Sequence, residues 1–242
     1  MKFDSALQTA TLIKRYKRFL ADVRLEDGTE ITLHCPNTGS MKNCQDVNSK
    51  VWFTDSANPK RKYPCTWQFI EVADGAAQHL VGVNTGLANK LIVEAIENEV
   101  VGPLTDYENL KTEVPYGEQN SRIDIFLSNH KGQRADCYVE VKNVSLGLGG
   151  GIASFPDAVT SRGQKHLQEL MSVKEQGYRA VLLFSVQHTG IEKVIPADDI
   201  DPQYGKLLRE AADSGVEILA YRADIDLENS EISIIHRIEV DL

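Results

Sequence analysis

Apolar and polar residues alternate with a period of two along residues 19–26. Phe19, Ala21, Val23 and Leu25 fall on one side, and Leu20, Asp22, Arg24 and Glu26 on the other, as in a half-buried strand. Asp27-Gly28 follows, a dipeptide that suits the left-handed backbone of a tight hairpin. Ile31 and Leu33 then alternate with Glu30, Thr32 and His34. Val51-Trp52-Phe53 and residues 66–72 read as further strands, and Pro36-Asn37-Thr38-Gly39 as a loop. About five short strands with turn signals and no strong helical period predict a small β-barrel, of which the oligonucleotide-binding (OB) fold is one kind.

The period changes near Gly82. Asn84 or Thr85 is placed to cap a helix running to about residue 100. Its apolar stripe is Leu87, Ala88, Leu91, Ile92, Ala95 and Ile96, with Glu94 at the stripe's edge and Lys90 and Glu97 on the exposed side. Strands are predicted over 111–114, 122–127 and 137–144. The run Gly147-Leu148-Gly149-Gly150-Gly151 lacks the Lys-Ser/Thr of a phosphate loop and the third glycine of a dinucleotide fingerprint, so it is expected to be a flexible rim loop. A helix over 160–176 stops at Gly177, with Leu167, Leu170, Met171 and Val173 on its apolar face. Residues 178–186 are nearly all apolar, as in a central strand buried on both faces. A helix over 202–212 and strands over 216–222 and 232–240 complete a mixed-sheet α/β domain. The expected architecture is a barrel over 1–82 followed by an α/β domain over 83–242.

Of the 242 residues, 42% are hydrophobic and 25% charged, which excludes intrinsic disorder. The net charge of −9 argues against a surface that is basic throughout. The excess of acid lies wholly in residues 83–242, while residues 1–82 are slightly basic. Two basic clusters with aromatic neighbours stand in the first part. One is Lys14-Arg15-Tyr16-Lys17-Arg18-Phe19, and the other is Lys60-Arg61-Lys62-Tyr63. Such a mix neutralises phosphates and stacks on bases. Cys35, Cys44, Cys65 and Cys137 form no metal-binding spacing and are expected to be reduced. His79, His130, His188 and His236 look too scattered to act together. No stretch is long and apolar enough to span a bilayer, and the first residues do not resemble a secretory signal, so a cytoplasmic location is expected.

The residues that point to chemistry are Asp124, Glu140 and Lys142. In a strand, Glu140 and Lys142 point to one face with Tyr138, while Cys137, Val139 and Val141 take the other. If the preceding strand pairs with it as a hairpin, Asp124 lies beside Glu140. Two carboxylates about 4 Å apart repel unless a cation lies between them. Mg²⁺ or Mn²⁺ suits oxygen ligands, and a nearby lysine can hold an attacking water or neutralise charge on a phosphorane. The pattern predicts a site for phosphodiester hydrolysis.

Asp124 followed by Glu140-x-Lys142, behind a helix bearing Glu94, resembles the PD-(D/E)xK nuclease superfamily, although Ile123 stands where that motif has proline. Longer stretches carry a more specific resemblance. Residues 18–23, 34–41, 121–124, 138–144, 155–160 and 162–167, including His34-Cys35-Pro36-Asn37-Thr38-Gly39-Ser40-Met41 and Phe155-Pro156-Asp157, are similar to the sugar fermentation stimulation protein family of bacteria and archaea. That resemblance implies an N-terminal OB barrel joined to a PD-(D/E)xK nuclease-like domain, non-specific DNA binding and a regulatory role in maltose metabolism. Carried over, the metal ligands are Asp124 and Glu140, the catalytic cation is Lys142, and Glu94 matches a helix glutamate used by some superfamily members. Arg162, Lys165 and His166 are expected to face the phosphate backbone.

Two readings follow. In one, the chain is a Mg²⁺- or Mn²⁺-dependent deoxyribonuclease, with Lys14, Arg15, Lys17, Arg18, Lys60, Arg61, Lys62, Arg162 and Lys165 holding DNA. In the other, it is a catalytically silent DNA-binding regulatory factor linked to sugar metabolism. A carbohydrate-binding role finds no aromatic platform in the sequence.

Overall fold

The computed structural model describes residues 1–117 and 121–242. Its first part is a six-stranded sheet: β1 (Gln8–Tyr16), β2 (Leu20–Arg24), β3 (Glu30–His34), β4 (Lys50–Asp55), β5 (Cys65–Asp74) and β6 (Ala77–Gly82). The order is β3-β2-β1-β4-β5-β6, and a parallel bridge between His34 and Thr66 closes β3 onto β5. Leu12, Val23, Leu33, Val51, Phe53, Trp67 and Ile70 fill the interior and exclude water completely or nearly so. β1 and β6 escaped the alternation reading, because β1 carries a register shift between Leu12 and Lys14 and β6 is polar over its first half. The Lys14–Phe19 cluster therefore spans the end of β1 and the turn after it. Lys17 and Arg18 hold φ of 50° and 64° in that turn.

Asn84 caps a short 3₁₀ turn by accepting from Gly86 N, and α1 (Ala88–Glu97) continues from it. The remaining elements are β7 (Tyr107–Tyr116), β8 (Ser121–His130), β9 (Cys137–Val144), β10 (Gly147–Gly149), β11 (Ile152–Phe155), α2 (Ser161–Glu175), β12 (Arg179–Val186), β13 (Lys193–Pro196), α3 (Pro202–Asp213), β14 (Glu217–Asp226) and β15 (Glu231–Val240). They form one sheet in the order β10-β11-β13-β15-β14-β12-β9-β8-β7. The glycine-rich run is not a free rim loop, since Gly147 and Gly149 pair with β11, and Gly149, Gly150 and Gly151 take the positive φ that this reversal needs.

β12 explains its own apolar run. Val181 and Leu183 pack with Leu91 and Ile92 of α1, while Ala180, Leu182 and Phe184 pack with Leu167 and Leu170 of α2 and Leu207 and Leu208 of α3. A central strand covered on both faces has no polar side to display.

The barrel is joined to this sheet through the backbone. Gly82 N donates to Gln187 O at 2.7 Å and Thr189 N to Leu80 O at 3.0 Å, so the edge of β6 pairs with the segment leaving β12. A Cβ at Gly82 would meet Gln187 Oε1 at 2.6 Å, which explains the glycine. Trp52 and Phe69 of the barrel also join the α1 core.

This junction unites two histidines expected to be apart. The rings of His79 and His188 lie 5.8 Å apart. Burial, with the charge of His79 adding to it, pushes His188 down to about 4, against the opposing effect of Asp74. Below its ordinary value of about 6.5 the unfolded chain binds a proton there that the folded chain refuses. Stability is full above pH 6.5 and falls as the pH drops toward 4. Relative to His188→Gln, the native chain should lose about 1.4 kcal/mol per pH unit in that window, as read from urea unfolding at pH 7 and pH 5.

Candidate active site

β8 and β9 run antiparallel and pair at Ile125↔Val139, Phe126↔Tyr138 and Leu127↔Cys137. The ladder stops there, and the strands part at Asp124. The Val141 amide, left without a strand partner, donates instead to Asp124 Oδ2 at 2.7 Å. Asn89 of α1 donates to Asp124 Oδ1 at 2.8 Å. The aspartate thus stands at the opening of the sheet with its carboxyl group fixed at both oxygens.

Alternation along β9 sends Val139 and Val141 into the α1 core and turns Glu140 and Lys142 toward α2. Glu140 is buried. Its Oε1 accepts from Lys142 Nζ at 2.5 Å and from His166 Nδ1 of α2. Arg162 Nε donates to His166 Nε2 at 3.3 Å, one helical turn away. With Nε2 accepting, His166 carries its proton on Nδ1 and donates to Glu140. Glu140 Oε2 is buried and has no hydrogen-bond partner.

The two carboxyl groups differ electrostatically. Burial pushes Asp124 up, the Glu140 charge pushes it further, and the Val141 and Asn89 donors offset only part of this. Burial also pushes Glu140 up, but His166 and Lys142 overcome it and hold the group below its ordinary range. The ammonium of Lys142 serves mainly Glu140, which leaves Asp124 as the less compensated acid.

Asp124, Glu140 and Lys142 therefore come together. Glu94 does not join them: its carboxylate receives the α-amino group of Met1 at 2.8 Å, and the residue that α1 sends to the site is Asn89. His166 is not turned to solvent but buried against Glu140, whereas Arg162 is exposed and Lys165 half-buried. Nothing in the sequence marked Asn89. Glu169 could have been noticed, because it lies on the apolar face of α2 between Leu167 and Leu170 and is buried there.

Among the barrel cations, Lys14 is exposed and pairs with Asp22 at 3.5 Å. Lys17, Arg18, Lys60, Arg61 and Lys62 are exposed. Arg15 has another task, since its guanidinium donates to the carbonyls of Arg18, Asn37 and Gly39 at 2.8–3.0 Å. It holds the loop containing Asn37-Thr38-Gly39. That loop and Asn143, Ser154 and Asp157 enclose a polar cavity of about 220 Å³ between barrel and sheet, one residue beyond Lys142. Ser40 Oγ donates to Asp157 Oδ2 at 3.0 Å across the same seam.

Among the described residues no three His, Cys, Asp or Glu side chains are arranged to hold a metal ion. The pair of Asp124 and Glu140 is what the site offers. Two oxygen-donor carboxylates fit Mg²⁺ or Mn²⁺, which keep several waters or take phosphate oxygens to complete their shells.

A closed barrel joined by its edge strand to a mixed sheet with paired acids defines a two-domain protein of the OB-plus-restriction-endonuclease-like class. Residues 13–83 match the SfsA N-terminal OB domain, and residues 86–229 match the sugar fermentation stimulation protein RE domain. The chain belongs to the sugar fermentation stimulation protein family. It is 57% identical over 225 residues to a homologue from Shewanella piezotolerans, covering 93% of this chain and 94% of that one. It is 52% identical to a homologue from Saccharophagus degradans, covering 96% and 97%. The structure of Pyrococcus furiosus SfsA in complex with Ca²⁺ superposes with a TM-score of 0.86 at 26% identity, over 100% of this chain and 98% of that one.

The uneven compensation of the two acids has a measurable consequence. Without divalent cations, Asp124→Asn removes the repulsion on Glu140 while keeping an acceptor for Val141. The variant should melt about 2–4 °C higher than the native chain, corresponding to about 1 kcal/mol, by differential scanning calorimetry in EDTA. A lower melting temperature would show that the lost acceptor outweighs the relieved charge.

Proposed function

We propose that the chain is a divalent-cation-dependent phosphodiester hydrolase acting on DNA without regard to sequence. Asp124 and Glu140 are the ligands, and Lys142 is the cation beside the reacting phosphate. The observation that carries the reading is Glu140 Oε2, an orphaned buried oxygen on a carboxyl group whose other oxygen is clamped by Lys142 and His166. Beside a second carboxylate, such an oxygen fits a hard divalent ion. The Pyrococcus furiosus relative was solved in complex with Ca²⁺, which supports the same donor chemistry here. When bound, Mg²⁺ or Mn²⁺ would polarise a phosphate oxygen and acidify a coordinated water.

The chain's own residues do the rest. Asn89 and the Val141 amide orient Asp124. Arg162 fixes His166, and His166 fixes Glu140, so the ligand oxygen is aimed before substrate arrives. Lys142, 15% exposed, is near enough to the opening to neutralise charge gathering on the phosphate. Lys14, Lys17, Arg18, Lys60, Arg61 and Lys62 on the barrel, with Arg162 and Lys165 on α2, supply the phosphate contacts. Arg15 acts through the loop that it holds. The acidic sheet domain and the basic barrel clusters are compatible because the acids serve the cation and the bases serve the strand.

Incubation with linear and single-stranded DNA tests the reading. Cleavage should require Mg²⁺ or Mn²⁺, stop in EDTA, and fall by about 100-fold or more in Asp124→Asn. Cleavage that persists in Asp124→Asn at the native rate rejects the site. Binding without any turnover would instead leave a DNA-binding regulator.

The barrel's part is tested separately by salt. Binding should weaken linearly in log–log form as salt rises. Neutralising Lys60, Arg61 and Lys62 together to Gln should reduce the slope by up to about 2.7, if all three meet phosphates. Fluorescence anisotropy of a labelled duplex between 50 and 200 mM salt reads this directly, and an unchanged slope removes that loop from the interface.

A further inference from the structure

A second cavity, of about 180 Å³, opens between β9 and α2 beside the paired acids. Pro115, Tyr116, Tyr138, Glu169, Ser172 and Gln176 line it. Glu169 is only 4% exposed, yet neither of its carboxylate oxygens has a hydrogen-bond partner. The Tyr116 hydroxyl, on a residue 8% exposed, is also unpartnered and faces Glu169 without closing a hydrogen bond. Burying a carboxylate with no donor is among the costliest arrangements a fold can keep, and here a polar ligand would relieve it. Gly117 makes room for the group, since a Cβ there would meet Glu169 Oε1 at 2.8 Å.

The surroundings narrow the ligand. Among the described residues Glu169 is the single carboxylate on the cavity wall, which is poor provision for a metal ion. The wall is instead aromatic on one side. Tyr138 stacks at 5.8 Å from Tyr116 and 5.4 Å from Tyr178. A carboxylate with two open acceptors beside tyrosine faces suits a flat heterocycle that presents two N–H donors side by side. Of the nucleic-acid bases, guanine alone does so, through N1–H and its exocyclic amino group. Adenine and cytosine set an acceptor beside their amino group, and thymine flanks its one N–H with carbonyls.

Position agrees with this chemistry. Tyr138 precedes Glu140 by two residues on the same face of β9, and Glu169 follows His166 by one turn of α2. A base seated here belongs to a nucleotide next to the phosphate at Glu140. We propose that the cavity is a base-recognition subsite that takes guanine from a single-stranded or unpaired stretch of the substrate. This rests on the reading of the neighbouring site as one that handles nucleic-acid phosphates.

Titration calorimetry on the full chain in EDTA, with dGMP, dIMP, dAMP and dCMP as probes, tests it. The inosine nucleotide lacks only the exocyclic amino group. The native chain should bind dGMP about 10- to 100-fold more tightly than dIMP, the effect of one charge-assisted hydrogen bond. Glu169→Gln should abolish the preference. Ser172→Phe, an exposed change at the rim, should block the cavity and abolish dGMP binding without disturbing the fold. Equal affinity for the four nucleotides, no dGMP binding at millimolar concentration, or binding unaltered in Ser172→Phe would overturn the subsite. Mn²⁺ binding lost in Glu169→Gln with no base preference would overturn it too. Metal-dependent cleavage of DNA with no guanine preference defeats this proposal alone, and guanine preference without cleavage defeats the hydrolase alone.

Discussion

The hydrogen bond from the Val141 amide to Asp124 is the small event on which the site depends. Two neighbouring strands part, one backbone donor is left without its partner, and a side-chain carboxylate takes the vacant place. That replacement does two things at once. It satisfies a backbone group that would otherwise be costly to leave unpaired. It also brings a second acid against Glu140 on a sheet that could otherwise have carried apolar residues there. The repulsion that follows is only partly offset, because Lys142 and His166 both bind the glutamate. The fold keeps an unfavourable electrostatic arrangement at one point and surrounds it with two well-packed apolar layers.

The barrel is more than an appended module. Its edge strand continues into the backbone after β12, and its Asn37-Thr38-Gly39 loop is held by Arg15 against the seam beside Asn143. The loop therefore reaches the sheet one residue past Lys142. A strand lying across the exposed cations of the barrel would meet this seam and the opening at Asp124 in one path. The guanidinium that a sequence reading assigns to phosphates is instead a brace for the loop, since three carbonyls within hydrogen-bond distance leave it little freedom.

The alternation of Glu140 and Lys142 against Val139 and Val141 was legible, because strand geometry forces neighbouring side chains to opposite faces. The helices at α1, α2 and α3 were legible from their apolar stripes and stops. Local pattern failed where long-range contacts decide the matter. Glu94 sits at the edge of an apolar stripe in sequence, but its partner is the α-amino group of Met1, brought from the far end of the chain. Asn89 has no pattern of its own and acquires a role only because α1 crosses the opening of the sheet. His79 and His188 stand more than a hundred residues apart and meet because β6 pairs with the segment after β12. The glycine run reads as a loop until its strand partner is in place.

The sequence by itself determined which residues carry charge and which must be buried, the period of each element, and hence a barrel followed by a layered sheet with Glu140 and Lys142 on a common face. Those properties are local, since they follow from the geometry of one strand or one helix. Only the tertiary structure decided that β8 and β9 separate at Asp124, that His166 turns inward, and that Glu169 is left in a cavity without a donor. Each of these depends on the distance between segments that no local period encodes, and on the balance between burying a polar group and finding it a partner.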